Sequence, residues 1–252
     1  MAPASRPILG LVSLIILAGG ILFQFLVILS GGVNGSPENQ IYFLQASNIA
    51  NIAGARNPSR WTFFAVCGVD AKGHNANCGK PVPALPFDPP RNFGTTTNVP
   101  AQFLGTHKFY YLSRFMFAFY LIALFFAACA LCTGVLALCS RLGGYLSGLT
   151  VSIALFFQTL AAALMTAWTV EGRNAFRRGG HSASLGKKAY GFTWGAMACF
   201  LIATVLFCVG GAVSGSGNRS STVSRKRSTR STRSRGSFLD TDSQKRVKDD
   251  YA

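Results

Sequence analysis

The sequence predicts an all-α membrane protein: a four-transmembrane-helix bundle with a small β-rich, disulfide-stapled extracellular loop and a disordered basic C-terminal tail. Three observations carry that prediction. Four runs lack Asp, Glu, Lys and Arg: Ile8–Gly32, Phe115–Ser140, Leu142–Val170 and Ala189–Gly211. Each is longer than the roughly 20 residues a helix needs to cross bilayer hydrocarbon. Two cysteines, Cys67 and Cys78, lie outside these runs, in a long polar segment between the first and second. From residue 213 onward the composition turns to Ser, Thr, Arg and Lys, with few apolar side chains. Bulk numbers agree: half of the 252 residues are hydrophobic and 13% are charged, against about a quarter in soluble domains.

Taken in order, residues 1–7 form a cytosolic stub and residues 8–30 the first span. Arg6 ahead of that run and Ser30, Gly31 and Gly32 behind it suit a cleaved signal peptide as the competing reading. The apolar stretch runs on to Leu29, whereas a signal h-region has about 7–15 residues, and this favours a retained helix. Residues 31–108 form the large loop, with eight of the ten prolines. The second span, 112–139, and the third, 145–170, are joined by a turn at 140–144 that makes them antiparallel neighbours. A second loop, 171–188, leads to the fourth span, 189–212. The third run is uncharged for 29 residues, about 43 Å of helix, so it is expected to tilt or to project beyond the bilayer.

In lipid, helices associate by close backbone approach and interhelical hydrogen bonds. Gly144/Gly148, Gly191/Gly195 and Ala123/Ala127 have the small-xxx-small spacing, and Gln24 and Gln158 are lone amides expected to face the bundle interior. Trp168, Tyr110, Tyr111, Tyr145, Tyr190 and Trp194 fall near span ends, where amphipathic rings favour the interface. Arg114 is expected to snorkel to the headgroups. Cys129, Cys132, Cys199 and Cys208 read as small packing residues, and Cys139, beside Ser140 and Arg141, as a candidate palmitoylation site.

In the large loop, Trp61 to Cys67 alternate as a strand with Trp61, Phe63, Ala65 and Cys67 on one face, and Ile41–Gln45 is a second strand candidate. Cys67 and Cys78 flank AKGHNAN, a turn-forming stretch. Zinc would need about four ligands, and only Cys67, Cys78 and His74 are near in sequence. A catalytic cysteine would need a base and an orienting group, for which His74, His107 and Asp70 show no recognisable spacing. A disulfide closing that short loop, which contributes about 3 kcal/mol, is the preferred reading. It needs an oxidising compartment, which puts both loops outside and both termini in the cytosol. Positive charges near the ends agree on the N terminus, middle turn and tail, although the loop 171–188 is also basic.

The Trp61…Cys67…Cys78 pattern resembles the signature of claudin-like tetraspan proteins, without their Gly-Leu-Trp portion. A more specific likeness lies downstream. LPFDPPRNFGTTTNVPAQF (85–103), holding Pro86, Phe87, Asp88, Asn92, Phe93 and Gly94, followed by YYLSRFMFAFYLIALFF (110–126), resembles the fungal SUR/PalI family of plasma-membrane tetraspan proteins. That resemblance implies a plasma-membrane organiser associated with eisosome-type domains, with roles in domain stability, cell-wall integrity and endocytosis, and with eisosome-type cytosolic coat proteins as partners. It implies no catalytic site, metal or cofactor. The residues offer none either: there is no Gly-rich phosphate loop, no His/Asp/Glu cluster and no paired carboxylates at membrane depth.

Residues 213–252 form the tail. Arg225, Lys226, Arg227, Arg230, Arg233 and Arg235 suit anionic inner-leaflet lipid, at about 1 kcal/mol per basic residue near the surface; a membrane tether disfavours nucleic acid as the partner. Ser228, Ser231, Ser234 and Ser237 are interleaved with these cations, and phosphorylation there would cancel the patch. The expected function is therefore a non-enzymatic tetraspan organiser, able to form a homo-oligomer. The alternatives are a small channel or transporter lined by Gln24 and Gln158, and a PalI-like sensor or chaperone for another membrane protein.

Overall fold

The computed structural model describes residues 5–33, 35–138 and 140–216, with side chains described for residues 8–33, 35–138, 140 and 142–210. Four of its helices are long and apolar enough to cross a membrane: α1 (Ser5–Ile28), α3 (Lys108–Ala137), α4 (Arg141–Arg178) and α5 (Lys187–Ser216). A short helix, α2 (Pro89–Phe93), lies in the large loop. Contacts run round a ring. The longest shared seam joins α3 and α4; Gly134 of α3 meets Leu14 of α1, Gly20 of α1 meets Phe200 of α5, and Gly148 of α4 meets Phe207 and Cys208 of α5.

Toward the bundle interior α3 buries mainly small side chains. The inward positions of α3 are Met116, Tyr120, Ala123, Ala127, Ala130, Gly134 and Ala137, spaced three or four apart, as a straight seam on a 3.6-residue helix requires. Small side chains there let two backbones approach, which is where helices in lipid gain dispersion energy. Ala123 and Ala127 are both fully buried on this face, while Gly195 merely receives Phe23 and Gly191 faces open space. Of the span cysteines, Cys132 and Cys208 are exposed and Cys129 and Cys199 half-buried.

The helix extents differ from the expected spans in an informative way. Only residues 138–140 separate α3 from α4, because Ser140 caps α4: its hydroxyl accepts from the Gly143 amide. At the other end α4 runs on through Glu171, Arg173, Arg177 and Arg178. Its 38 residues make about 57 Å of helix, nearly twice the hydrocarbon thickness of about 30 Å. The charges that suggest a loop are instead the solvated face of a helix that outreaches the membrane. Trp168, expected in an interfacial belt, is 2% exposed because the sheet end covers it.

That end carries a five-stranded antiparallel sheet of order β4-β3-β2-β1-β5, with β1 (Leu44–Ser47), β2 (Ser59–Trp61), β3 (Val66–Val69), β4 (Asn75–Ala76) and β5 (Ser182–Leu185). The single strand expected over 61–67 is a hairpin. Thr62 through Ala65 form its turn: the Thr62 amide and hydroxyl both donate to the Ala65 carbonyl, and the Ala65 amide donates back to the hydroxyl. Arg60 thereby faces Cys67 and Trp61 faces Val66. β1 starts three residues after the expected Ile41, and β5, from the second loop, pairs with it from Leu44↔Leu185 to Ser47↔Ser182. Both loops therefore share one sheet.

Candidate functional site

The sheet's outward reach depends on how it is held to the helices, and the hold is an aromatic clamp built around Trp61. This side chain is 1% exposed. Its ring lies 5.1 Å from Phe87, 5.7 Å from Phe93 and 5.6 Å from Phe176, centroid to centroid. Phe87 in turn packs 4.7 Å from Trp168 and 5.6 Å from Phe109. Strand, loop and two helices thus meet in one ring cluster, in the edge-on and tilted geometries aromatic quadrupoles prefer.

The loop signature supplies the polar half of the clamp. The Asn92 side-chain oxygen accepts from Trp61 Nε1 at 2.9 Å and from the Asp88 amide at 3.1 Å, while its Nδ2 donates to the Pro86 carbonyl at 3.2 Å. One amide therefore satisfies the buried indole and closes the loop around it. The Phe87 amide donates to Ser113 Oγ of α3 at 2.9 Å. Prolines at the start of α2 and Gly94 at its end, φ +72°, delimit this single turn; Asp88 pairs with Arg91 at 3.5 Å. Gly172 of α4 matters for a different reason: a Cβ there would stand 2.9 Å from the Phe87 ring, and its absence lets the clamp close. The signature residues are therefore mainly interior supports of the sheet.

Cys67 and Cys78 are joined. The bond ties β3 to the residue two past β4 and leaves the zinc and nucleophile readings without their thiolates. Between the cysteines Asp70 accepts the His74 amide at 2.7 Å and the Lys72 amide at 2.9 Å. Those bonds, His74's first, hold its carboxyl below the usual range. Arg60, 8% exposed, knits the sheet from beneath. It donates to Gln45 Oε1 and the Gly73 carbonyl, each at 2.8 Å, and lies 4.1 Å over the Tyr42 ring. Burial lowers its pKa, against the raising effect of Tyr42 and Asp70.

Inside the bundle the two amides find each other. Gln24 Nε2 donates to Gln158 Oε1 at 2.7 Å, and Gln158 Nε2 donates to the Thr193 carbonyl at 3.1 Å. Thr193 Oγ1 shares a further hydrogen bond with the Tyr120 hydroxyl. One buried node thus links α1, α3, α4 and α5, and both glutamines are 0% exposed. These bonds tie the helices together, while Gln24 Oε1 is buried without a hydrogen-bond partner among the described residues. Tyr120 and Thr193 carry no distinct signal in an apolar run, which is why this half of the node is invisible before folding.

Arg225, Lys226, Arg227, Arg230, Arg233, Arg235, the four tail serines and Cys139 lie outside the described residues.

A model of the SUR7/PalI family matches residues 9–206. The chain is 38% identical over 199 residues to "Protein SUR7" of Candida albicans, covering 79% of this chain and 72% of that one. It is 36% identical over 200 residues to "Protein SUR7" of Saccharomyces cerevisiae, covering 79% of this chain and 66% of that one. It is also 34% identical over 186 residues to "Uncharacterized plasma membrane protein YNL194C" of the same yeast, covering 73% of this chain and 62% of that one.

Proposed function

The chain belongs to the SUR7/PalI family, and on that premise we propose that it is a non-enzymatic organiser of the plasma membrane. In this reading it works in eisosome-type domains, supporting domain stability, cell-wall integrity and endocytosis. Both termini are cytosolic, so the sheet faces the wall. The observation that carries the proposal is the clamp. Trp61, Phe87 and Asn92 fix a hydrogen-bonded sheet to the bundle, and a fixed surface on a membrane-held body is what lateral assembly requires. The plasma-membrane name of one relative supports the location, and an oxidised Cys67–Cys78 pair supports the outward face.

The tail is assigned the inner side. Its cations bind anionic lipid next to the cytosolic coat, and phosphorylation at Ser228, Ser231, Ser234 and Ser237 releases it. Live imaging of a tagged copy tests the organiser: immobile cortical patches are expected, and uniform or internal membrane signal overturns it. Protease protection tests the orientation, with the Cys67–Cys78 loop cut only from outside intact cells.

A further inference from the structure

A cavity of about 390 Å³ opens where the sheet meets the start of α3, within the volume range of small-ligand sites. Four cations line it: Arg56, Lys80, Arg91 and Arg114. Two independent parts of the fold bring them together. The disulfide-stapled turn holds the Cys78-Gly79-Lys80 segment against Arg56, whose Nη2 is 4.0 Å from where a Gly79 Cβ would stand. The α2 turn and α3 set the other pair around one ring: Arg91 Cζ lies 4.8 Å and Arg114 Cζ 5.2 Å from the Tyr110 centroid, and Arg114 donates to the Tyr110 hydroxyl at 2.6 Å. Among the described residues, Asp88 beside Arg91 is the one carboxylate that pairs with any of the four. Gathered like charges facing a cavity call for an anion, and guanidinium forks match phosphate oxygens.

What lies beneath the cavity identifies the kind of anion. Arg114 sits near the start of α3, and below it Ala118, Leu121 and Phe125 are exposed at steps of four, three and four residues, one apolar stripe down the helix. A ligand with its phosphate at the cations and acyl chains along this stripe satisfies both surfaces. We propose that this cavity binds the headgroup phosphate of a lipid with net negative charge. In the orientation proposed above, that lipid belongs to the outer leaflet; the site itself depends only on the sheet end and α3.

The experiment is native mass spectrometry of the purified full chain in detergent, titrated with phosphatidylinositol or phosphatidylcholine, which share a phosphodiester but differ in net charge. The expected result is one phosphatidylinositol retained per chain at several-fold lower concentration than phosphatidylcholine. Lys80→Gln, at an exposed position, and Arg56→Gln should each weaken phosphatidylinositol binding about fivefold, leave phosphatidylcholine unchanged, and leave the disulfide and helix content intact. Lys72→Gln, outside the cavity, should change nothing. Equal retention of the two lipids, or a preference that survives both substitutions, overturns the proposal. So does displacement by millimolar inorganic phosphate, which would make the cavity a free-anion site. Cortical imaging is read separately: patches without lipid preference sink this site and spare the organiser, and the converse spares the site.

Discussion

The two ends of the bundle are packed by different means. At the sheet end the core is ring upon ring: Phe43, Trp61, Phe63, Phe87, Phe103, Phe109, Trp168 and Phe176. At the far end it is Ala127, Ala130, Ala137, Ala154 and Ala203, with Leu17, Val151, Phe200 and Phe207 between them. The difference follows the solvent. Near water, burying a large ring removes apolar area from water and is strongly favourable. In hydrocarbon that gain vanishes, since lipid tails are as apolar as the side chains, and close backbone approach is what remains. One chain thus uses two packing rules along a single set of helices.

Substitutions can break that contrast. The largest effect is expected from Trp61→Ala, which removes the clamp's centre at about 3–5 kcal/mol; limited proteolysis in detergent should find the large loop cut while the helices stay protected. Loss of the disulfide through paired Cys67→Ser and Cys78→Ser changes should cost about 3 kcal/mol, read as a lower melting temperature for the sheet end. At the far end the sign of the size rule reverses. Ala127→Leu should destabilise by about 1–3 kcal/mol through overpacking, loosening α3 from the far-end core while loop proteolysis stays unchanged. Gln24→Leu should cost only about 0.6 kcal/mol, measured by denaturant titration in micelles. The smallest expected effect is a pH dependence at Asp70. Its folded pKa is depressed, so the contribution is full above the unfolded value, close to the reference 3.8, and is lost as pH falls through the folded one. Asp70→Asn should abolish that acid-side change in loop melting.

Legibility in the sequence followed the same division. The four spans stood out because a bilayer forbids charge over a fixed length, and Gln24 and Gln158 stood out as polar groups with nowhere to go but inward. The cysteine staple was legible from spacing and turn chemistry. Apolar alternation misled at Phe63 and Phe64, which sit in the hairpin turn. Phe63 reaches Tyr120 and Phe117 of α3, 5.3 and 5.2 Å between centroids, and Phe64 also packs on Phe117. Ser182–Leu185 carries almost no strand signal of its own, since it becomes a strand only through β1. Arg177, on the charged extension of α4, donates to the Ala183 carbonyl at 3.0 Å, a role that composition could not separate from that of a loop residue.

The pairing of β1 with β5 bears on biogenesis. The hairpin from β2 to β4 is local and complete once the large loop has been made, but β1's second edge waits for β5, which emerges only after α3 and α4. Until β5 has followed α4, β1 presents an open strand edge, the kind of template on which another chain can pair.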